Sequence, residues 1–154
     1  APFLVVGPQC EWAYDSFDSN GGSSSGDTRV MNFTNNRKQL GTCITQTART
    51  STAAQYYTVQ SSGIYSVGVC TSNASAGNVF GVTINSSTTS TNPQSMTYAN
   101  GLRSIATIAN NSNRACAPWT GNLSTGDIIR VQDDGGSYTT DALTSLTITK
   151  LANY

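Results

Sequence analysis

The sequence contains no histidine, little charge and no long apolar run. Only 10% of its residues are Asp, Glu, Lys or Arg, and the formal net charge is zero. A typical globular chain has about 25% charged residues. Because binding to phosphates requires a basic face, we expect no nucleic-acid partner. The longest apolar run, Phe3–Val6, falls far short of the roughly 18 residues that cross a bilayer, so we expect no membrane insertion.

The absence of histidine also bears on catalysis. Serine and cysteine nucleophiles need a nearby base, which is most often an imidazole. A serine nucleophile would have to use Lys38 or Lys150 instead, and we expect neither lysine to be buried. The acidic pairs that a glycosidase could use are Asp15 with Asp18 and Asp133 with Asp134. Both pairs lie in turn-like sequence, where Asp is common, and we expect them to be solvated turn residues. We therefore predict that the chain is not an enzyme and that it binds no cofactor and no metal.

Ser, Thr, Asn and Gly dominate the composition, which favours strands and turns over helices. The clearest alternation lies in residues 63–70, where Tyr65, Val67 and Val69 share one face, which we assign to a core. Short strands at this regular spacing predict an all-β sandwich of two sheets. The predicted strands are Val30–Thr34, Thr42–Thr47, Gln55–Gln60, 63–70, Asn78–Asn85, Leu102–Ala109, Ala115–Leu123, Asp127–Gln132 and Leu143–Leu151.

Four cysteines are present, Cys10, Cys43, Cys70 and Cys116. Four cysteines allow three connectivities, and we favour the pairs Cys10 with Cys43 and Cys70 with Cys116. This choice keeps one pair near the N-terminus and ties the central strand to a later one. The alternatives are buried free thiols, or a zinc site that gathers all four thiolates from remote positions.

Residues 1–26 differ from the rest, and we interpret them as an N-terminal arm and linker that precede a folded domain of residues 27–154. The segment from Asn20 to Gly26 is rich in Gly and Ser and predicts a flexible stretch or long turn. In the alternative interpretation, the aromatic rings of this segment cap the core of the domain itself. The candidate contact residues of the arm are Phe3, Leu4, Val5, Val6, Trp12, Tyr14 and Phe17.

Four short segments resemble motifs of C1q/TNF-like jelly-roll domains, including those found in phage virion and tail proteins. Residues 62–67 (SGIYSV) resemble one strand of that fold, and residues 123–131 (LSTGDIIRV) resemble a turn with its flanking strands. Residues 145–151 (SLTITKL) are similar to the closing strand, and residues 28–32 (TRVMN) to the opening strand. The resemblance covers about residues 28–152 and implies a two-sheet jelly-roll β-sandwich, here with an extended N-terminal arm.

The resemblance also implies a compact homotrimer. The second face of the central strand, with Ile64, Ser66 and Gly68, is then the candidate trimer interface. Members of this family act as receptor-binding heads, carbohydrate-binding domains and structural knobs, and are rarely enzymes. In a ligand-binding member, Trp119 and Tyr138 would be candidate loop residues for contact with a ligand.

These observations favour a non-enzymatic virion protein, a trimeric capsid decoration (cement) protein of a tailed phage. In this hypothesis the chain lies on the virion surface, and its arm binds the major capsid protein or another virion protein. The alternative is a receptor- or carbohydrate-binding head of a tail fibre or of a secreted C1q-like protein, with a cell-surface glycan as its partner.

Overall fold

The structure, a computed structural model, describes residues 10–20, 27–71, 76–109, 114–135 and 144–153, with the backbone alone for residues 15–20. Ten β-strands and two short 3₁₀ turns make up its regular elements. The strands are β1 Cys10–Asn20, β2 Met31–Leu40, β3 Ile44–Thr47, β4 Tyr56–Val59, β5 Gly63–Thr71, β6 Val79–Ile84, β7 Leu102–Thr107, β8 Ala115–Leu123, β9 Ile128–Asp133 and β10 Ser145–Ala152. The 3₁₀ turns are Pro93–Ser95 and Tyr98–Asn100.

The strands form two antiparallel sheets of five strands each. We call them the front sheet, in the order β2-β1-β10-β5-β8, and the back sheet, in the order β3-β4-β9-β6-β7. All nine strands predicted from the sequence are present, and the predicted all-β jelly-roll sandwich is confirmed. The segment Leu102–Thr107, whose spacing also fits a helix, is a strand because it pairs along β6.

Strand β5 lies between β10 and β8 and shows the predicted alternation along its whole length. Tyr65, Val67 and Val69 are fully buried between the sheets, and the residues between them are partly exposed on the outer surface. A side-chain period of two is the geometry of any strand with one face on a core. The principal partners of these residues in the core are Phe80, Val82, Ile129, Val131, Leu146 and Ile148.

Strand β1 corrects the predicted division of the chain. Cys10–Asn20 pairs with β10 on one side and with β2 on the other, so it is an inner strand of the front sheet. The proposed domain boundary at residue 26 is therefore wrong for residues 10–20, which belong to the sandwich. The reason is that Cys10, Trp12 and Tyr14 alternate along this strand and all face the core. Residues 1–9 and 21–26 lie outside the described residues.

The two sheets differ in what covers their outer faces. Every residue of β6 is buried, because the segment 86–97 crosses the outside of the back sheet. Thr83 donates to the Gln132 Oε1 atom at 2.9 Å, and the Gln132 amide donates to the Thr88 carbonyl at 2.9 Å. The Gln132 side-chain amide also donates to the Met96 sulfur at 3.6 Å. Within the described residues, no comparable segment crosses the outside of β5, β8 and β10.

Two disulfides are present, and they have the predicted pairing. Cys10–Cys43 joins β1 to the connection before β3; both residues are buried, and we call this pair the core disulfide. Cys70–Cys116 joins directly paired positions of β5 and β8. Cys116 is exposed, because this second pair lies on the outer surface of the front sheet.

Candidate interaction surface

No other described segment crosses the outer surface of the front sheet over β5, β8 and β10, which we call the open face. Its side chains are uncharged and most of them are small, and they include all three residues predicted for a trimer interface. Its members are Ile64, Ser66, Gly68, Cys70, Cys116, Pro118, Thr120, Asn122, Ser145, Thr147 and Thr149. A surface of this composition can approach another protein surface closely without desolvating a charge.

Gly68 lies near the middle of the open face, between Pro118 on β8 and Thr147 on β10. A Cβ atom built on Gly68 meets no other atom within 4 Å, so the surface above it is flat and accessible. The edge strand β8 contains Pro118, which has no N–H to donate and therefore interrupts any further strand pairing. The geometry favours contact through the open face over extension of the sheet at its edge.

The aromatic residues predicted to act as a partner-binding arm are in part core residues. Trp12 and Tyr14 are only 6% and 3% exposed, so their prediction as contact residues is wrong. The Trp12 indole donates to the Gly41 carbonyl at 3.3 Å, and the Tyr14 ring packs 5.3 Å from that of Tyr57. Burial raises the pKa of Tyr14 to about 12. Phe3, Leu4, Val5 and Val6, as well as the Phe17 side chain, lie outside the described residues.

Trp119 lies in strand β8 rather than in a loop, and its side chain is on the core side of the sheet, where it packs against the core and remains partly exposed. A Cβ on Gly121 would approach the Trp119 ring to 2.4 Å, which shows that the ring lies directly over this glycine. Trp119 is therefore better explained as a cover for the core than as a ligand platform. Tyr138 lies outside the described residues.

The turn between β8 and β9 explains the motif at residues 123–131. Gly126 has a φ of +94°, a conformation that residues with a Cβ rarely adopt. The Asp127 carboxylate accepts hydrogen bonds from the Ser124 amide and the Asn85 side chain, both at 2.8 Å. Asp127 therefore closes the turn, as its position after the glycine predicts.

Asp133 is the buried acid of the described chain. It is fully buried, so the prediction that it is a solvated turn residue is wrong. Desolvation raises the pKa of Asp133 to about 7; a hydrogen bond from the Gly135 amide and the charge of Arg29 lower it, and the charge of Asp134 raises it. The Gly135 amide donates to Oδ1 at 2.6 Å, whereas Oδ2 has no hydrogen-bond partner.

Lys150 and Tyr98 are two features that the sequence reasoning missed. Lys150 is 3% exposed and donates to the Ser61 hydroxyl at 2.6 Å, so the expectation that neither lysine is buried is wrong. Its alternation with Leu146 and Ile148 along β10 was the available signal. Tyr98 is 75% exposed, and the Arg103 guanidinium stacks 3.9 Å above its ring.

The described residues contain no group of three or more His, Cys, Asp or Glu side chains that could hold a metal ion. Among the same residues, no helix is long and apolar enough to cross a membrane.

Comparison with solved structures identifies the class of fold. Murine APRIL at pH 8.5 matches with a TM-score of 0.56 and 15% sequence identity, over 92% of this chain and 98% of that one. GITRL from bushbaby matches with a TM-score of 0.53 and 13% identity, over 94% of this chain and 95% of that one. No protein-family model and no curated protein sequence matches the chain.

The chain therefore has a C1q/TNF-like jelly-roll fold. At 13–15% identity, the likeness to APRIL and GITRL extends to the fold alone. Function has to be argued from the surfaces and sites of this chain itself.

Proposed function

We propose that the chain is a non-enzymatic homotrimeric module that decorates the surface of a virion. The single observation that carries this proposal is the open face. One side of the sandwich is covered by the chain's own segment 86–97, whereas β5, β8 and β10 expose a flat, uncharged surface. The central parts of protein interfaces are depleted in charged residues, and the open face contains none.

A homotrimer is the assembly that the C1q/TNF-like resemblance implies, and in a closed threefold ring every copy buries equivalent residues against its two neighbours. The substitution Gly68→Arg tests whether the open face is that surface. On the isolated chain the new side chain enters open space, so the fold is expected to persist. In the assembly, an unpaired buried charge costs roughly 3–5 kcal/mol, which is enough to dissociate most oligomers at micromolar concentration.

Thr45→Arg is the matched control, because Thr45 is exposed on β3 at the edge of the back sheet. Light scattering should report a trimer for the unmodified chain and for Thr45→Arg, and a monomer for Gly68→Arg. Unfolding experiments confirm that each variant is folded. A trimer that persists in Gly68→Arg contradicts the assignment of the interface to the open face.

The virion location rests on two observations. Residues 28–32 are similar to the opening strand of jelly rolls in phage virion and tail proteins, and in this structure they lead into β2, the second strand of the sandwich. Two disulfides tie the sandwich together, and disulfides are typical of proteins that function outside the reducing cytosol. The partner of this proposal is the major capsid protein of a tailed phage, and segment 1–9, with Phe3–Val6, is the proposed contact.

Removal of segment 1–9 tests that contact. The deletion must stop before Cys10, because a longer one removes strand β1 and the core disulfide. We expect the full chain to co-sediment with particles that lack it, and the shortened chain to remain in the supernatant with an unchanged oligomeric mass. Four serines in place of Phe3–Val6 form the length-matched control and should behave like the deletion. Co-sedimentation of both variants at the level of the full chain contradicts the proposal.

A receptor- or carbohydrate-binding head is the alternative function, and one observation favours it. The exposed Tyr98 ring, stacked under Arg103, is the kind of platform on which sugars bind through their apolar faces. A glycan array with the unmodified chain and Tyr98→Ala tests this function. Binding that Tyr98→Ala abolishes supports it, and the absence of binding, or binding that the substitution does not change, counts against it.

A further inference from the structure

A cavity of about 420 Å³ opens beside Lys150, at the end of the sandwich where β10 finishes. Lys150 occupies a core-facing position of β10, in phase with Leu146 and Ile148, but its side chain ends in a charge. The cavity is lined by Gly41, Thr42, Cys43, Gln60, Ser61 and Lys150. Among the described lining residues, Lys150 alone is charged.

The local packing is built around the lysine. Its Cε atom would lie 2.5 Å from a Cβ on Gly63, so a larger residue at the start of β5 would displace the side chain. The φ of Gly63 is not positive, so the glycine is needed here for space and not for its backbone conformation. The glycine provides the space through which the Lys150 stem reaches the cavity.

Among the described residues, one hydroxyl holds the Lys150 ammonium group. The group has three N–H bonds, and the Ser61 hydroxyl accepts one at 2.6 Å. Two carbonyls around the cavity accept hydrogen bonds from other groups. The Ser61 carbonyl accepts from the Tyr65 hydroxyl at 2.6 Å, and the Cys43 carbonyl accepts from the Gln60 backbone amide at 2.7 Å. A buried ammonium is stabilised best by an anion, and the described lining residues include no carboxylate.

The geometry points to a binding pocket for an acidic monosaccharide, whose single carboxylate pairs with Lys150. One ammonium matches one carboxylate, while Thr42, Gln60 and Ser61 offer hydroxyl and amide groups to sugar hydroxyls. The sparse apolar lining disfavours a fatty acid, and the volume lies within the range of small-molecule sites. The pocket does not depend on the proposed trimer, because Lys150 faces the core and the open face lies on the opposite side of the front sheet.

An amide NMR titration of the full chain at constant pH and ionic strength tests this pocket, with D-glucuronate as the probe. We expect saturable shifts at Gly41, Thr42 and Ser61. The loss of a charge-assisted hydrogen bond weakens binding roughly tenfold or more. Lys150→Met should show that loss, because methionine keeps an unbranched side chain and removes the charge. The sequence contains one other lysine, and Lys38→Met is the matched control, which should bind like the unmodified chain.

Two further probes need no variant and keep the inference testable if Lys150→Met fails to fold. Neutral methyl glucoside should bind at least about tenfold more weakly than glucuronate, because it lacks the carboxylate. Acetate should also bind more weakly, because it lacks the hydroxyls. Equal binding of glucuronate and methyl glucoside, or of glucuronate and acetate, overturns the assignment. Unchanged glucuronate affinity in Lys150→Met, or no saturable shift at these amides, overturns it as well.

Discussion

Asp133 makes the stability of the fold depend on pH near neutrality. The side chain is fully buried, and desolvation raises its pKa from 3.8 to about 7. In the unfolded chain the carboxyl ionises near its ordinary value, so between pH 4 and pH 7 the native state keeps a proton that the unfolded state releases. The free energy of unfolding must therefore fall as the pH rises through this range.

The magnitude follows from the difference between the two pKa values. Each unit corresponds to about 1.4 kcal/mol, so the full difference amounts to roughly 4 kcal/mol. A window of pH 5 to 9 contains the upper part of this range and its end. Across it, the unmodified chain should lose about 3 kcal/mol of unfolding free energy, nearly all of it below pH 7. Arg29 and Asp134 are the charged groups that act on Asp133.

Urea unfolding at several pH values, at one protein concentration and with the disulfides intact, measures this slope. Asp133→Asn should remove it, because the amide cannot ionise and its oxygen can still accept from the Gly135 amide. Asp134→Asn is the matched control. In Asp134→Asn the free energy of unfolding should still fall as the pH rises, but the fall should be complete at a slightly lower pH, because the Asp134 charge raises the pKa of Asp133. A slope in Asp133→Asn equal to that of the unmodified chain would refute the reasoning.

Three other outcomes follow from the packing. In urea unfolding, Gly63→Ala should lower the free energy of unfolding by about 2 kcal/mol or more, because the new Cβ atom meets the Ala152 carbonyl oxygen and Lys150. Gly68→Ala should change the same free energy by less than about 0.5 kcal/mol, because its Cβ atom enters open space. Mild reductant should open the exposed Cys70–Cys116 disulfide before the buried core disulfide. Alkylation of the free thiols followed by peptide mass mapping gives the order, and the reverse order contradicts the argument that burial protects the core disulfide. Hydrolysis of p-nitrophenyl acetate should be the same for the unmodified chain and Ser61→Ala, and a loss in Ser61→Ala would reveal a catalytic serine.

The strands of the sandwich were predictable because alternation is a local property of a half-buried strand. Residues 63–70 show this directly, since Tyr65, Val67 and Val69 point inward and three of the four outward residues are small. Strand β1 was missed because a Gly- and Ser-rich stretch follows it, which made the whole N-terminal segment resemble a linker. Its inward alternation, with Trp12 and Tyr14, was nevertheless in the sequence.

The buried polar residues could not be predicted because their burial depends on contacts between distant parts of the chain. Asp133 is enclosed where residues 27–30 cross the end of β9, as in the bridge between Val30 and Gln132. Lys150 is enclosed by the connections before β3 and β5. The charge of the two residues predicts that both side chains are in solvent. The alternation along β10 predicts instead that the Lys150 side chain faces the core, which is where it lies.

The central claim of the proposed function is that three copies of this chain associate into a homotrimer. Sedimentation equilibrium of the unmodified chain tests it most directly, because the mass it gives does not depend on molecular shape. The account predicts a single species of three times the 16.2 kDa chain mass at micromolar concentration. A species of one chain mass throughout that range would contradict it.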